Sequence, residues 1–314
     1  MKSIAKKADI SQFLKAIKED MEKESDPRCR MLQQDYANLI TSVGYKEAVT
    51  RRFFLVFQID ARRKSEQEAA NLLQSYAQTA KKYLYQCGNE IELSENPTEE
   101  TAEIFYLLLN RKTSTRTSFS DRLNEVVAWH IRENGEESAA RIPITEMFAP
   151  RELDFRHRNY VVIDGVYHTY LFVPSGRYRN RVPAGWMSLL VNAGEGIDVD
   201  LFLYKQDKVK TIERIGRRIR LNRSKIKDTS DTNTDFDDLA ESIQAGYYLK
   251  NGLSANEDFY YICILITVTG YSPKEVEWRA REMRKLLNAQ DMDTVSCIFK
   301  EEQAFRSALP LLKL

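Results

Sequence analysis

A run of basic residues in the second half of the chain has the clearest pattern for binding chemistry. Residues 208–227 read KVKTIERIGRRIRLNRSKIK, in which nine lysines and arginines accompany a single acid, Glu213. Apolar residues recur at helical spacing from Ile212 to Ile219, so the run is predicted to form an amphipathic helix. The residues predicted to contact a partner are Lys210, Arg214, Arg217, Arg218, Arg220 and Arg223.

The residue types of this helix do not determine which class of partner it binds. A cationic helix can bind nucleic-acid phosphates, anionic lipid headgroups or an acidic protein surface. It can equally be a solvated face or pack within the molecule. The 47 basic and 46 acidic residues nearly balance over the whole chain, so any electrostatic function must come from local clustering.

An acidic segment that follows the basic run matches part of a calcium-binding loop. Asp231, Asn233 and Asp235 have the spacing of the first three oxygen ligands of an EF-hand. Phe236 stands where the sharp turn needs glycine, and Ser242 stands where the loop needs a bidentate glutamate. We therefore predict a solvated linker without a metal, in which Asp235 caps the next helix.

Catalytic motifs are absent from the sequence. Neither the phosphate-binding GxxxxGK[ST] loop nor the GxGxxG fingerprint occurs, and Gly194-Glu195-Gly196 is predicted to be a turn before a strand. His130, His157 and His168 lack the spacing of a metal site, and a ligand or general-base role is not favoured for any of them. The four cysteines lie far apart. No catalytic residue, cofactor or metal is predicted for this chain.

Length and composition indicate a globular protein with two domains of ordinary size. The chain has 314 residues, of which 43% are hydrophobic and 30% charged. The first residues contain no apolar stretch typical of a signal peptide. The longest apolar run, YYICILITV, has the length of a strand rather than the roughly 18–20 residues of a membrane helix. A cytoplasmic location is predicted, also because the cysteines form no disulfide pattern.

Three parts are predicted along the chain. Residues 1–42 read as amino-terminal helices, 43–149 as a first α+β domain and 150–314 as a second. Ser65 is predicted to cap a long helix that ends at Gly88. Asp164-Gly165, between two apolar runs, predicts a tight β-hairpin turn.

An internal repeat predicts the fold. FFLVFQID, a helix from Ser65, NEIEL and EETAEIFYLLL can be aligned with YICILITVTG, a helix from Ser272, TVSCIF and EEQAFRSALPLL. Each copy reads strand, helix, strand, helix at an offset of about 205 residues. We therefore predict an α+β protein with two ferredoxin-like split β-α-β domains, which arose by internal duplication, and extra helices at the amino terminus.

Six segments of the second half carry a family resemblance. They are LDFRHRNYVVIDGVYHTYLFV, GWMSLLVNAGEGIDVDLFLYKQ, LNRSKIKD, DTNTDFDDLAESIQAGYYLKNG, NEDFYYICILITVTG and KEEQAFRSALPLL. In this order they resemble the amino-terminal, non-catalytic region of the VirB/TraE-type ATPases of conjugative type IV secretion in Gram-positive integrative elements. The resemblance covers residues 150–314 well and 30–150 loosely.

The resemblance implies a role in conjugative DNA transfer. Members of that family act at the inner face of the cell membrane, form homo-oligomers and dock on membrane-embedded channel components. They hydrolyse ATP with Mg in a carboxy-terminal P-loop domain. The chain ends at Leu314, where the resemblance would place the start of that motor domain, so no ATP-binding residue carries over. The expected partners are a channel component and a P-loop ATPase domain or subunit.

Two functions follow from these observations. The first is a docking and assembly module of a conjugative secretion ATPase, peripheral to the membrane on its cytoplasmic side. The alternative is a nucleic-acid-binding accessory protein that uses the basic helix at 208–227. Salt dependence of binding to DNA separates the two, because neutralised phosphates release counterions.

Overall fold

A computed structural model of the chain describes residues 1–7, 10–47, 49–89, 91, 97–114, 117–136, 142–174, 176–178, 182, 184–228 and 234–311. The helices in these ranges are α1 (Ser11–Lys23), α2 (Pro27–Glu47), α3 (Glu66–Gln86), α4 (Pro97–Leu109), α5 (Phe119–Asn134), α6 (Thr145–Phe148), α7 (Ser188–Val191), α8 (Lys208–Asp228), α9 (Thr234–Ser254), α10 (Pro273–Asn288) and α11 (Glu301–Ala308). The strands are β1 (Lys2–Lys7), β2 (Val49–Phe54), β3 (Leu153–Asp154), β4 (Val161–Ile163), β5 (Val166–Phe172), β6 (Ile197–Lys205), β7 (Tyr260–Gly270) and β8 (Val295–Ser296). The predicted α+β class is confirmed.

The strands form one open sheet in the order β2-β1-β6-β7-β5-β4-β3, with β8 paired to β5 beside this path. Strand β1 is antiparallel to β2 and to β6, with Lys2 opposite Asp200. Hydrogen bonds from Gln206 N to Phe259 O and from Thr269 N to Gly196 O lie at the two ends of the β6–β7 pair. They make this pair antiparallel as well.

The hairpin between β4 and β5 confirms the prediction made from its turn residues. Asp164 and Gly165 both have positive φ angles, 48° and 75°, as a two-residue type I′ turn requires.

The predicted ends of helix α3 are also found. The Ser65 hydroxyl accepts from Glu68 N and the Glu68 carboxylate accepts from Ser65 N, which is a complete capping box for α3.

A split β-α-β unit occurs in the second half. Leu171 and Phe172 of β5 pair with β7 and also with β8. The two strands therefore lie on opposite sides of β5 and are parallel to each other, with α10 connecting them. Its counterpart in the first half needs the strand predicted at 89–93, of which residues 90, 92 and 93 lie outside the described residues.

Side chains of β5 and β7 form the centre of the buried core. Leu171, Ile264 and Ile266 have no exposed surface, and α10 packs its buried side, from Val276 to Leu287, against β5. Burying such aliphatic side chains stabilises the fold by roughly 1.5–3 kcal/mol each. A second cluster joins α4, α5 and α6 around Tyr106, Phe119 and Met147.

The amino-terminal strand β1 was not predicted, since the sequence analysis assigned residues 1–42 to helices. Residues 2–7 instead pair with β2 along their whole length. A six-residue segment with three lysines has little strand propensity of its own. Pairing with β2 and with β6 therefore determines the extended conformation of this segment. Helices α1 and α2 follow it as predicted.

Contacts divide the chain into two units. The first contains Met1–Asp200 and Ile264–Leu314, and the second contains Leu201–Cys263. Strands β6 and β7 contribute residues to both units. The three-part division at residues 42 and 149 stays a prediction. Among the described residues, no helix is long and apolar enough to cross a membrane.

Candidate functional site

The basic run forms the first helix of an α-helical hairpin in the second unit. Helix α8 begins where the Asp207 carboxylate accepts from Lys210 N at 2.8 Å. Helix α9 packs along it, and the Asn222 amide donates to the Ser242 hydroxyl at 2.9 Å. Gly246 permits this close packing, because a Cβ atom there would lie 2.8 Å from Ile219 Cγ1. Ile215 and Ile219 of α8 therefore lie against α9, whereas Leu221 is 61% exposed.

The opposite side of α8 is exposed and cationic. At 3.6 residues per turn, five basic residues fall in a sector of about 100° that extends over about 22 Å of the helix. We call this sector the cationic face; its members are Lys210, Arg214, Arg217, Arg218 and Lys225, and all five are exposed. Arg220 and Arg223 are exposed as well but lie outside the sector. The structure thus brings four of the six predicted contact residues together.

Few carboxylates neutralise the cationic face. Arg217 forms an ion pair with Glu213 at 3.6 Å, and both side chains are largely exposed, so the pair contributes little stability. Arg214 donates to the Tyr261 hydroxyl at 2.6 Å, which orients its guanidinium without cancelling the charge. Within the described residues, Arg218 forms no ion pair. Guanidinium groups presented in this way suit carboxylate or phosphate oxygens.

The aromatic hairpin of β4 and β5, which carries Tyr167, Tyr170 and Phe172, lies inside the sheet. Tyr170 is only 1% exposed, and the neighbouring strands β7, β4 and β8 pair with β5 on both sides. Burial raises the pKa of the Tyr170 hydroxyl. His168 on the same strand is buried too, and burial together with the charge of Arg111 lowers its pKa to about 3. A buried, neutral His168 is a core residue, not an accessible base.

A second exposed feature lies in the first unit, at the turn between β8 and α11. Phe299 has a φ of 60° and its ring is 76% exposed. The Arg158 guanidinium lies 5.5 Å from the ring centre, beside a groove of about 670 Å³ that Lys300 also lines. A left-handed conformation is strained for a bulky residue. An exposed aromatic ring held in this way is typical of a contact surface.

Two buried ion pairs in the first unit were missed by sequence reasoning. Lys2 Nζ lies 2.8 Å from Asp200 Oδ2 and also donates to Ala308 O at 2.7 Å. Arg111 pairs with the buried Asp198, and burial lowers the pKa of Arg111 to about 10. The signal was present in the strand IDVDLF, where carboxylates at alternate positions must lie on one face.

The described residues contain no group of three or more metal-ligating side chains. Asp231 and Asn233 of the acidic segment lie outside the described residues, and nothing is described of the Asp235 side chain. The predicted absence of a metal there stays a prediction.

No model of a protein family matches the chain, and no curated protein matches it significantly.

Proposed function

We propose that the chain is a non-catalytic docking module of a conjugative type IV secretion ATPase. The observation that carries the proposal is the ordered resemblance of six segments within residues 150–314 to the amino-terminal region of those ATPases. The module recruits a P-loop ATPase domain or subunit, which binds ATP and Mg, to a membrane-embedded channel component. Its place at the inner face of the membrane then comes from that partner.

The cationic face of α8 supports this role. It is a rigid helical surface with several arginines, and arginine is a common anchor at protein interfaces. Facing carboxylates of a partner would be held by charge-assisted hydrogen bonds. Phe299 and Arg158 supply an aromatic and cationic surface of the same kind in the first unit.

Reversing two charges of the cationic face is expected to abolish recruitment. Arg217→Glu with Arg218→Glu places carboxylates where the partner's carboxylates bind, and like-charge contacts cost several kcal/mol. Both side chains are exposed, so the fold should tolerate the change within about 0.5 kcal/mol. The measurement is co-purification of the tagged chain with the integral-membrane channel component, or with the P-loop ATPase subunit, from cells that carry the conjugative element.

A matched control reverses two exposed charges outside the cationic face, Lys274→Glu with Arg281→Glu on α10. The control should retain both partners. If neither partner is enriched by the wild-type chain, and deleting the gene leaves conjugative transfer unchanged, the docking function is wrong.

Phe299→Gly is expected to weaken recruitment while the fold keeps its stability. Glycine adopts a positive φ without strain, so the substitution relieves the local strain and removes only the exposed ring. Truncating an aromatic interface anchor commonly costs 2 kcal/mol or more, which is about thirtyfold in affinity. Thermal unfolding and co-purification of the same variant separate the two effects. Undiminished recruitment would exclude Phe299 from the contact surface.

The alternative function, nucleic-acid binding through α8, rests on the same cationic face. It requires affinity for a labelled oligonucleotide that falls steeply between about 50 and 200 mM salt. Arg217→Glu with Arg218→Glu would then flatten the salt dependence, because each lost phosphate contact removes about 0.7–0.9 from the logarithmic slope. Weak binding without this dependence favours the docking function.

The ferredoxin-like duplication also remains our proposal. The split β-α-β unit of β7, α10 and β8 around β5 supports it in the second half, whereas α3, the counterpart of α10, buries none of its residues among the described parts of the chain. By analogy, the strand predicted at 89–93 should run parallel to β2, with β1 between them. An experimental structure in which residues 89–93 pair elsewhere contradicts the duplication.

A further inference from the structure

Helix α3 has an apolar stripe whose side chains are exposed or only half-buried. None of its 21 residues is buried. The stripe occupies about 140° of the helix and consists of Ala69, Leu72, Leu73, Tyr76, Ala77, Ala80, Tyr83 and Leu84. Tyr76 is 47% and Tyr83 63% exposed. An amphipathic helix in a globular protein normally packs such a stripe against another element.

Signals in the local sequence stabilise both ends of α3. The capping box of Ser65 and Glu68 satisfies its first amide groups, and Gly88 follows its end with a φ of 79°. Packing of the apolar face, however, supplies most of the stability of helices of this length. A partner is therefore expected to cover the stripe.

The spacing of the stripe indicates that the partner is another helix. Its members recur at intervals of three and four residues over about four turns, as the a and d positions of a coiled coil do. Three of its eight members are alanines, which allow a facing helix to approach closely.

The charges of α3 define the orientation of that helix. Only the two ends carry charge: Glu66 and Glu68 in the first turn, Lys81 and Lys82 near the last. A second α3 in antiparallel orientation places the acids of one copy beside the lysines of the other. A parallel second copy would place like charges together, which destabilises the pair.

The antiparallel register places the apolar stripes of the two copies against each other. With the two-fold axis between residues 74 and 75, Leu73 faces Tyr76 of the second copy and Leu72 faces Ala77. Ala69 then faces Ala80, and Glu68 lies level with Lys81. The same surface of both chains is used, as in an isologous dimer.

We propose that α3 is a homotypic interface, through which two copies of this chain pair in antiparallel orientation. The pairing does not depend on the docking function, since the cationic face lies on α8. It gives the predicted homo-oligomer a defined contact surface.

Sedimentation equilibrium of the full-length chain tests the proposal. The wild type should dimerise, and Leu73→Glu should weaken dimerisation by at least about tenfold, because it places a charge in the centre of the apolar contact. Circular dichroism should show an unchanged fold for this exposed position. A monomeric wild type, or a dimer that Leu73→Glu leaves intact, would overturn the proposal.

Charge exchange gives a second, independent test. Glu66→Lys or Lys81→Glu alone should each weaken the homodimer, and neither residue belongs to the capping box. An equimolar mixture of these two variants should form a heterodimer, because each end then brings a lysine beside a glutamate, and the chain with both substitutions should recover homodimerisation. Failure of the double variant to recover, when it is folded, would contradict the antiparallel orientation.

Discussion

Asp200→Asn is expected to lower the free energy of unfolding by about 3–5 kcal/mol, because it leaves the ammonium group of Lys2 buried without a counter-charge. Lys2 is 3% exposed and its Nζ lies between the two Asp200 oxygens and the carbonyl of Ala308. Burial lowers the pKa of Lys2 and raises that of Asp200, and the charge of each opposes the shift of the other. Removing either partner therefore leaves an unfavourable buried group.

The double variant Lys2→Met, Asp200→Leu is the control for this prediction. Replacing both charges with apolar side chains of similar volume is commonly neutral or stabilising. Urea unfolding followed by circular dichroism should show the single variants destabilised and the double variant close to wild type. Losses below about 1 kcal/mol in both single variants would mean that the pair is not buried as described.

Acid is expected to destabilise the protein strongly through His168. Its pKa is lowered to about 3 in the folded state by burial and by the charge of Arg111, whereas a histidine in an unfolded chain titrates near 6.5. Between these values the unfolded chain binds a proton that the folded chain does not. The contribution of His168 to stability is therefore fully present above pH 6.5 and declines as the pH falls towards 3.

The expected size of this effect is about 1.4 kcal/mol per pH unit, or roughly 4–5 kcal/mol over the whole interval. His168→Leu and His168→Gln should both flatten the dependence of the unfolding free energy on pH between about 6 and 4. The slope is the relevant measurement, because packing changes at this buried position shift the curve equally at every pH. An unchanged slope in both variants would show that His168 takes up its proton in the folded protein.

Short-range patterns predicted much of the fold. The hairpin turn at Asp164-Gly165 and the cap at Ser65 were located from sequence because each depends on the backbone needs of a few adjacent residues. Helix α8 was also predicted within one residue of its observed bounds, and a strand after Gly196 and a helix near Asp235 were predicted as well. Their periodicity is visible wherever one side of an element is apolar and the other polar.

The candidate site was predicted only in part. The run at 208–227 indicated a cationic helix, and the observed sector contains Lys210, Arg214, Arg217 and Arg218. Sequence alone did not show that α9 packs against α8. This packing determines which basic residues of α8 lie together on its exposed side. Nor could it show that the aromatic hairpin is an internal part of the sheet, because strand order depends on long-range pairing.

By itself, the sequence determined the α+β class, the local helix and turn signals, the basic composition of α8 and the lack of a P-loop. The tertiary structure decided that residues 2–7 are a strand, that Lys2 and Asp200 form a buried pair, and that no residue of the α3 stripe is buried by the described parts of the chain. The physical reason is separation along the chain. A cap or turn is stabilised by neighbours within a few residues. Lys2, in contrast, pairs with Phe54 of β2 and has its charge partner, Asp200, 198 positions away, which no local pattern encodes.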